Sequence, residues 1–439
     1  MSARPRWTGR LHRVAIDLTP LRASRDYRLL LGGGFISQLG FQFTQVAVFV
    51  QATQLTRSTA AVGVIGVVGF VGLISGTVAG AAFIDKFDRR RTLRWAQVGY
   101  MMSAATLLGG AIAGDPPIGL VYGAVAFHAF IASIDLPTRH AMIPRMVGTE
   151  LIPSALAMNQ LMWRTIAIAG PALGGVVIAS WGFGAAYAFD LVSYGALFVA
   201  TLLMRPMPPQ GDTDVRGWVA VRQGLDFVRR KRLIASTLII DLIAMVFSMP
   251  QALYTFLAVS QFHRGTEVVG LLFAAPGVGA VLQALASGWT RRVDHQGRAV
   301  IVAVVAWGAA VSAFGLVGSN LPLALTFLVL AGAADGISAI FRSTITQVTT
   351  PERLRGRTSQ IFALTVNGGP RLGDFRAGLV ASWVGATTAV VAGGITCILG
   401  AVWVAWAYPE LRAYRRPTRA DDPGYDRSGS RDLGESDPA

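Results

Sequence analysis

Apolar stretches long enough to cross a bilayer recur along this chain, each about 20 residues, the length an α-helix needs for a hydrocarbon core of about 30 Å. Short segments between them carry nearly all of the charge. Soluble domains interrupt their apolar runs with solvated faces, and these runs are not interrupted. Charged residues make up only 14% of the sequence, against about 25% in soluble domains, and the mean hydropathy is +0.50. The chain reads as an all-α polytopic membrane protein. Spans are expected at residues 29–50, 61–84, 93–113, 118–136, 155–180, 183–204, 233–259, 268–289, 299–318, 321–341, 359–384 and 386–408, about twelve in all.

The formal net charge of +15 would point to nucleic acid in a soluble protein. Here the basic clusters Arg4–Arg28, Lys86–Arg94, Arg139–Arg145, Arg205–Arg232, Arg291–Arg298, Arg353–Arg357 and Arg412–Arg419 all fall on one side of that topology. The other side has Arg57, Arg264 and little else. The bias of cytoplasmic loops towards positive charge explains the excess and puts both termini and the central loop in the cytoplasm. The expected partners are a lipid bilayer and a small-molecule substrate, with no nucleic acid and no second subunit. Cys397 is the only cysteine, which excludes disulfides and multi-cysteine metal sites. Met1–Arg28 has no apolar stretch, so no cleavable signal is expected.

Pro206, Pro208 and Pro209 open a connection that ends in Arg229-Arg230-Lys231-Arg232 and divides the chain near its midpoint. The expected organisation is a cytoplasmic segment 1–28, a six-helix bundle 29–204, a cytoplasmic loop 205–232, a second six-helix bundle 233–408 and a disordered polar tail 409–439. Residues 215–228 of the loop have helical spacing with mixed charge, as in a helix lying on a membrane surface. An internal repeat supports two halves. Asn159-Gln160 precedes Gly170-Pro171-Ala172-Leu173-Gly174 as Ser359-Gln360 precedes Gly369-Pro370-Arg371-Leu372-Gly373, and Glu150-Leu151 answers Glu352-Arg353-Leu354. Parallel six-helix repeats with a substrate path between them are a known transporter architecture.

Gly80, Asp85, Lys86, Asp88, Arg89, Arg90 and Arg91 close the second span. This pattern resembles the loop 2–3 signature of the major facilitator superfamily, in which the cluster latches the two halves on the cytoplasmic side. The plainer reading is topology charge alone. In the fifth span, Gly170, Pro171, Gly174 and Gly175 resemble the superfamily's antiporter signature; small residues four apart permit close packing, and proline makes a hinge. Pro351-Glu352-Arg353-Leu354-Arg355-Gly356-Arg357, with Asp135, Pro137, Arg139 and Pro144, is similar to the branch that holds enterobactin-type siderophore exporters and macrolide-efflux proteins. The resemblance implies a major facilitator fold, with spans 1, 4, 5, 7, 10 and 11 lining a central cavity, and an exporter. The fourth span lacks the membrane arginine of many proton-coupled members, and His128 lies near its place.

Intramembrane charge marks the candidate site. Arg371, Asp374 and Arg376 sit near the middle of the eleventh span, where each charge costs about 2.5–3.5 kcal/mol if it faces lipid. They must face inward. Arg371 and Asp374 share a helical face and could pair; Arg376 needs another partner. A structural salt bridge and a role in anion recognition or proton coupling both fit. Arg164, Asp190, Asp241 and Asp335 are further intramembrane charges. A buried carboxylate can take up and release a proton near neutral pH; Asp241 and Asp374 rank first as carriers and Asp335 next, the alternative being pairing with Arg164 or Arg376. His128 reads as a polar contact between helices. Asp135, Arg139 and Arg342, near cytoplasmic ends, suit gating or topology. Gln38, Gln42 and Gln45 form one face of the first span, either a substrate-facing wall or interhelical hydrogen bonding. Met245, Met249, Pro250 and Tyr254 offer an adaptable apolar surface.

These features predict a non-enzymatic secondary transporter in a bacterial inner membrane that exports a bulky anionic or zwitterionic molecule, a siderophore or drug, by proton antiport. It needs no cofactor beyond the proton gradient. A small-metabolite importer and a non-transporting scaffold are the alternatives. A membrane enzyme would need a metal or nucleophile cluster, and an ATP-driven pump a glycine-rich phosphate loop; the sequence has neither.

Overall fold

The computed structural model describes residues 17–83, 87–208 and 218–416, and all regular structure among them is helical. After a short helical turn at Thr19–Ala23 come α1 (Arg25–Thr56), α2 (Thr59–Phe83), α3 (Arg89–Ala113), α4 (Ile118–Val147) and α5 (Ile152–Leu203). A surface helix α6 (Trp218–Arg230) precedes α7 (Arg232–Ser248), which resumes after a turn as Tyr254–Ser260. Then follow α8 (Thr266–Leu285), α9 (Gln296–Leu316), α10 (Leu321–Thr349), α11 (Glu352–Val384) and α12 (Ala386–Ala407).

Among the described residues, nine helical segments are long and apolar enough to cross a membrane. One of them is α5, whose 52 residues are divided by Gly182 at φ 76° and ψ −178°, a conformation that only glycine adopts without strain. Its limbs correspond to the expected spans 155–180 and 183–204. α1 and α11 are as long as the others, with 32 and 33 residues. Gln38, Gln42 and Gln45 dilute the apolar character of α1, and Arg371, Asp374 and Arg376 that of α11. The expected disordered tail 409–439 starts too early: Pro409–Ala413 form a helical turn whose Leu411 is buried, and the residues from 417, like most of the central loop before α6, lie outside the described residues. α6 itself packs on α7 and α11, with Phe227 and Val228 against Ile234, Leu238, Ile361 and Phe362.

The two ends of the bundle are built differently. At one end the chain reverses in short turns, each containing a residue with positive φ: Arg57, Gly114, Gly182, His263, Gly318 and Gly385. At the other lie the basic connections, the longest of them before α6, and the ordered ends of the chain. Side-chain caps start two of the helices that leave this end: Ser24 accepts from the Tyr27 amide at the start of α1, and Asp88 from the Arg91 amide at the start of α3.

Helices α1 to α5 pack largely on one another, α1 and α3 on α5 and α2 on α4. So do α7 to α12, with α9 against α10 and α12, and α11 against α7. Two helix pairs make most of the contact between the groups, α2 with α11 and α5 with α8. Each crosses at a pair of glycines. A Cβ on Gly378 would stand 2.7 Å from the Cα of Gly63, and one on Gly175 would stand 3.0 Å from the Cα of Gly270. All four glycines lie towards the tight-turn end, so the two groups meet backbone to backbone there.

Adding bulk at a crossing costs about 1–3 kcal/mol of overpacking and opposes closure. Gly175→Val and Gly378→Val are expected to insert and fold yet part the groups at the tight-turn end. Spin labels at Ser58 and Ser382 would read this as a distance several ångströms longer than in the parent; an unchanged distance would mean the crossings are not the limiting contacts.

Candidate functional site

α7 breaks between Met249 and Leu253, and the physics of that break locates the central charges. In an uninterrupted helix the Phe247 carbonyl and the Ala252 amide would both be bonded within the helix. Here the break frees them. Asp374 Oδ1 accepts the Ala252 amide at 2.8 Å, and the Arg376 guanidinium donates to the Phe247 carbonyl at 3.2 Å while lying 5.2 Å over the Phe247 ring. The anion therefore faces the amide end of the following segment and the cation the carbonyl end of the preceding one, as the peptide dipoles favour. Two residues on α11 thus hold both sides of the interruption.

Arg371, one turn earlier, reaches across to the other group, its guanidinium seated against Gly69 of α2 where a side chain would collide with it. Among the described residues no ion pair joins it to Asp374. Asp241 is instead paired with Arg342 of α10; both are buried, at 0% and 1% side-chain exposure. Arg342 also lies 3.7 Å from Asp335, whose side chain is 35% exposed. Arg164 of α5 donates to the Ala280 carbonyl of α8 at 3.1 Å and stands near enough to Asp335 for its charge to act there. Arg342, read from sequence as a gating or topology residue, is the centre of this network; its place on the inner face of a long, apolar α10 was the available signal.

In the first group, Asp190 is buried and accepts from the Thr44 hydroxyl at 2.6 Å. It does not meet the charges on α7, α10 and α11. His128 stacks on Phe41 (centroids 4.4 Å) and lies tilted against Tyr100 (4.6 Å), an aromatic contact between helices where a polar one was expected. Tyr100 in turn stacks on Tyr194 and donates to Asp135 at 3.4 Å. Asp135 pairs with Arg139, one turn on, at 2.8 Å. Of the glutamines on α1, Gln42 packs against Gly170, Gln45 is half-buried and Gln38 lines a cleft with Arg139, His140, Asn159 and Trp163. The strongest polar contacts of α1 are Thr44 to Asp190 and Gln51 to the Tyr187 hydroxyl (2.7 Å), residues the glutamine spacing did not single out.

The glycine–proline stretch of α5 serves both partners of that helix. Gly170 and Gly174 meet Gln42 and Phe43 of α1, while Gly175 and the Pro171 carbonyl meet Gly270 of α8. In the loop signature, Gly80 is buried near the end of α2, and Asp85 lies outside the described residues. Asp88 accepts the Met207 amide at 2.7 Å; Arg89 donates to the Ala141 carbonyl, and Arg90 to the Thr201 and Leu202 carbonyls ending α5. These bonds stay inside the first group, and those of Arg90 satisfy carbonyls at the C-terminus of α5. Among the described residues, no cluster of His, Cys, Asp and Glu could hold a metal ion.

Removing one partner of the buried Asp241–Arg342 pair costs about 3–5 kcal/mol, because the other charge stays behind. Asp241→Asn and Arg342→Gln should each lower thermal stability in detergent by that amount, and the double variant should recover part of it. At Asp374 a cap and an obligatory ionised group predict different outcomes. Asparagine can still accept the Ala252 amide, so Asp374→Asn should keep near-parental stability, whereas Asp374→Ala should lose about 1–3 kcal/mol. Equal losses in both would show that the charge itself is required.

Comparison with known proteins agrees with this architecture. The transmembrane secretion effector family of the major facilitator superfamily matches residues 15–420. The enterobactin exporter EntS of Citrobacter koseri is 26% identical over 412 residues, covering 93% of this chain and 97% of that one. That of Salmonella typhi is 27% identical over 414 residues, covering 93% and 98%. Among solved structures, a bacterial homologue of the iron transporter ferroportin in an inward-facing state aligns with a TM-score of 0.68 at 13% identity, covering 89% of this chain and 99% of that one. The POT family transporter PepTSo aligns at 0.70 and 12%, covering 88% and 98%. A bacterial homologue of the lysosomal transporter Spinster, inward-facing and unoccupied, aligns at 0.68 and 15%, covering 89% and 99%. At such identities the structures establish the fold alone. The chain is a multi-pass bacterial inner-membrane protein and belongs to the transmembrane secretion effector family of the major facilitator superfamily.

Proposed function

We propose that this protein is a monomeric secondary transporter that exports an anionic or zwitterionic small molecule, of the siderophore or drug class, in exchange for protons. Counting the two limbs of α5 separately and adding α1 and α11 to the other apolar helices gives twelve crossings, and the positive charge of the loops at one end supports a cytoplasmic location for both termini. Residues 25–204 rock against 233–408. The observation that carries the reading is the asymmetry of contact between the two groups: glycine crossings seal them at the tight-turn end, and single arginines reach across the divide at mid-depth, Arg164 to the Ala280 carbonyl and Arg371 to Gly69. This supports a state closed to the outside and open to the cytoplasm. The likeness along nearly the whole chain to proteins named enterobactin exporters supports outward transport.

The geometry favours Asp335 as the coupling carboxylate. Asp374 accepts a backbone amide and Asp241 is paired with a buried arginine. Asp335 is the more exposed acid of its network, stands 3.7 Å from Arg342 of its own group and is within range of the charge of Arg164 of the other. Protonation would cancel its attraction for Arg164 and loosen a tie between the groups; deprotonation restores it.

In inside-out proteoliposomes offered a panel of siderophores and drugs, an imposed proton gradient should drive accumulation of at least one compound. Asp335→Asn should lower that accumulation by about tenfold or more while leaving substrate exchange without a gradient intact. Accumulation indifferent to the gradient would overturn the antiport reading, and normal gradient-driven accumulation by Asp335→Asn would remove this residue from it.

A further inference from the structure

A cleft lies between α1, α4 and α5, towards the basic end of the first group. Gln38, Arg139, His140, Asn159, Met162 and Trp163 are among the residues that line it, and none of its lining residues is acidic. The guanidinium of Arg139 is only partly used by the protein. Its Nε is bonded to Asp135 and its Nη1 lies close to Gly34, where a Cβ would stand 3.2 Å away. Its Nη2 is buried and has no hydrogen-bond partner among the described residues. A buried, unpaired donor on a charged group is costly unless something completes it.

We propose that this cleft is an anion subsite that takes an aromatic ring bearing a carboxylate or comparable acidic group. The planar guanidinium suits an oxyanion. Trp163 and Met162 provide a flat, polarisable wall for the ring, and the amides of Gln38 and Asn159 can bond its polar substituents in either sense. Asp135 sits behind Arg139 and competes with the ligand for the same cation. It is held in place by the Tyr100 hydroxyl, so the arginine is positioned even when the cleft is empty. Asp135 is thus a positioning residue that also limits affinity. As an assignment of cargo chemistry, the subsite rests on the transport reading above; as a binding site it does not.

Binding of radiolabelled benzoate to the purified full-length protein, by scintillation proximity, tests the subsite directly. Unlabelled benzoate should displace the label, with benzamide and acetate each weaker by about tenfold or more. Arg139→Gln should weaken binding by a similar factor. Asp135→Asn keeps an acceptor for Arg139 and Tyr100 but removes the competing charge, so it should bind benzoate about threefold or more tighter. A gain cannot come from misfolding. Equal displacement by benzamide, or unchanged or weaker binding in a folded Asp135→Asn, would overturn the proposal. If these results hold and proteoliposomes show no export, the transport reading fails and the subsite stands; export without benzoate binding sinks only the subsite.

Discussion

A bilayer supplies no water to a backbone group that has lost its partner, so an interrupted helix within it stands only where another element completes it. That constraint shapes the second group of this protein. The interruption of α7 leaves a carbonyl and an amide free, and α11 meets them with a cation and an anion two residues apart. α11 must carry charge at mid-membrane for α7 to be broken there. The same helix then faces α2 through Gly378 and sends Arg371 towards Gly69. Charge, interruption and the contact between groups are parts of one arrangement.

The internal repeat gives the glycine crossings a common origin. Matching the Gly-Pro stretch of α5 to that of α11 matches α2 to α8, so the α2–α11 crossing corresponds to α8–α5. The two helix crossings are therefore copies of one contact, as in parallel repeats related by an axis along the membrane normal, although Gly175 and Gly378 stand one turn apart in the repeat. The match of sequence is strongest on α5 and α11. On α2 and α8 the copies have drifted, yet each keeps a glycine where the backbones meet.

The helical fold was legible in the sequence because hydropathy and loop charge are properties of a single segment. The division of α5 at Gly182 was legible for the same reason, since two apolar spans flanked a Trp-Gly pair. The partners of the buried charges were not. Asp241 and Arg342 lie on α7 and α10, far apart in sequence, and nothing local distinguishes a carboxylate that will be paired from one that will titrate. Arg371 and Asp374 have the spacing of a helical ion pair, but the broken α7 draws Asp374 to its amide instead. Arg139 looked like a loop cation because it lies near other arginines. Only the packing of α1 and α5 against α4 makes it the wall of a cleft.

The six close reversals at one end have a bearing on how such a chain is made. On the proposed orientation, that end must pass through the hydrocarbon as the helices enter. A turn such as Arg57-Ser58 between α1 and α2, or Gly385 alone between α11 and α12, brings almost no hydrated mass with it. Neighbouring helices can enter as ready-made hairpins, with every long polar connection left on the side where the ribosome works.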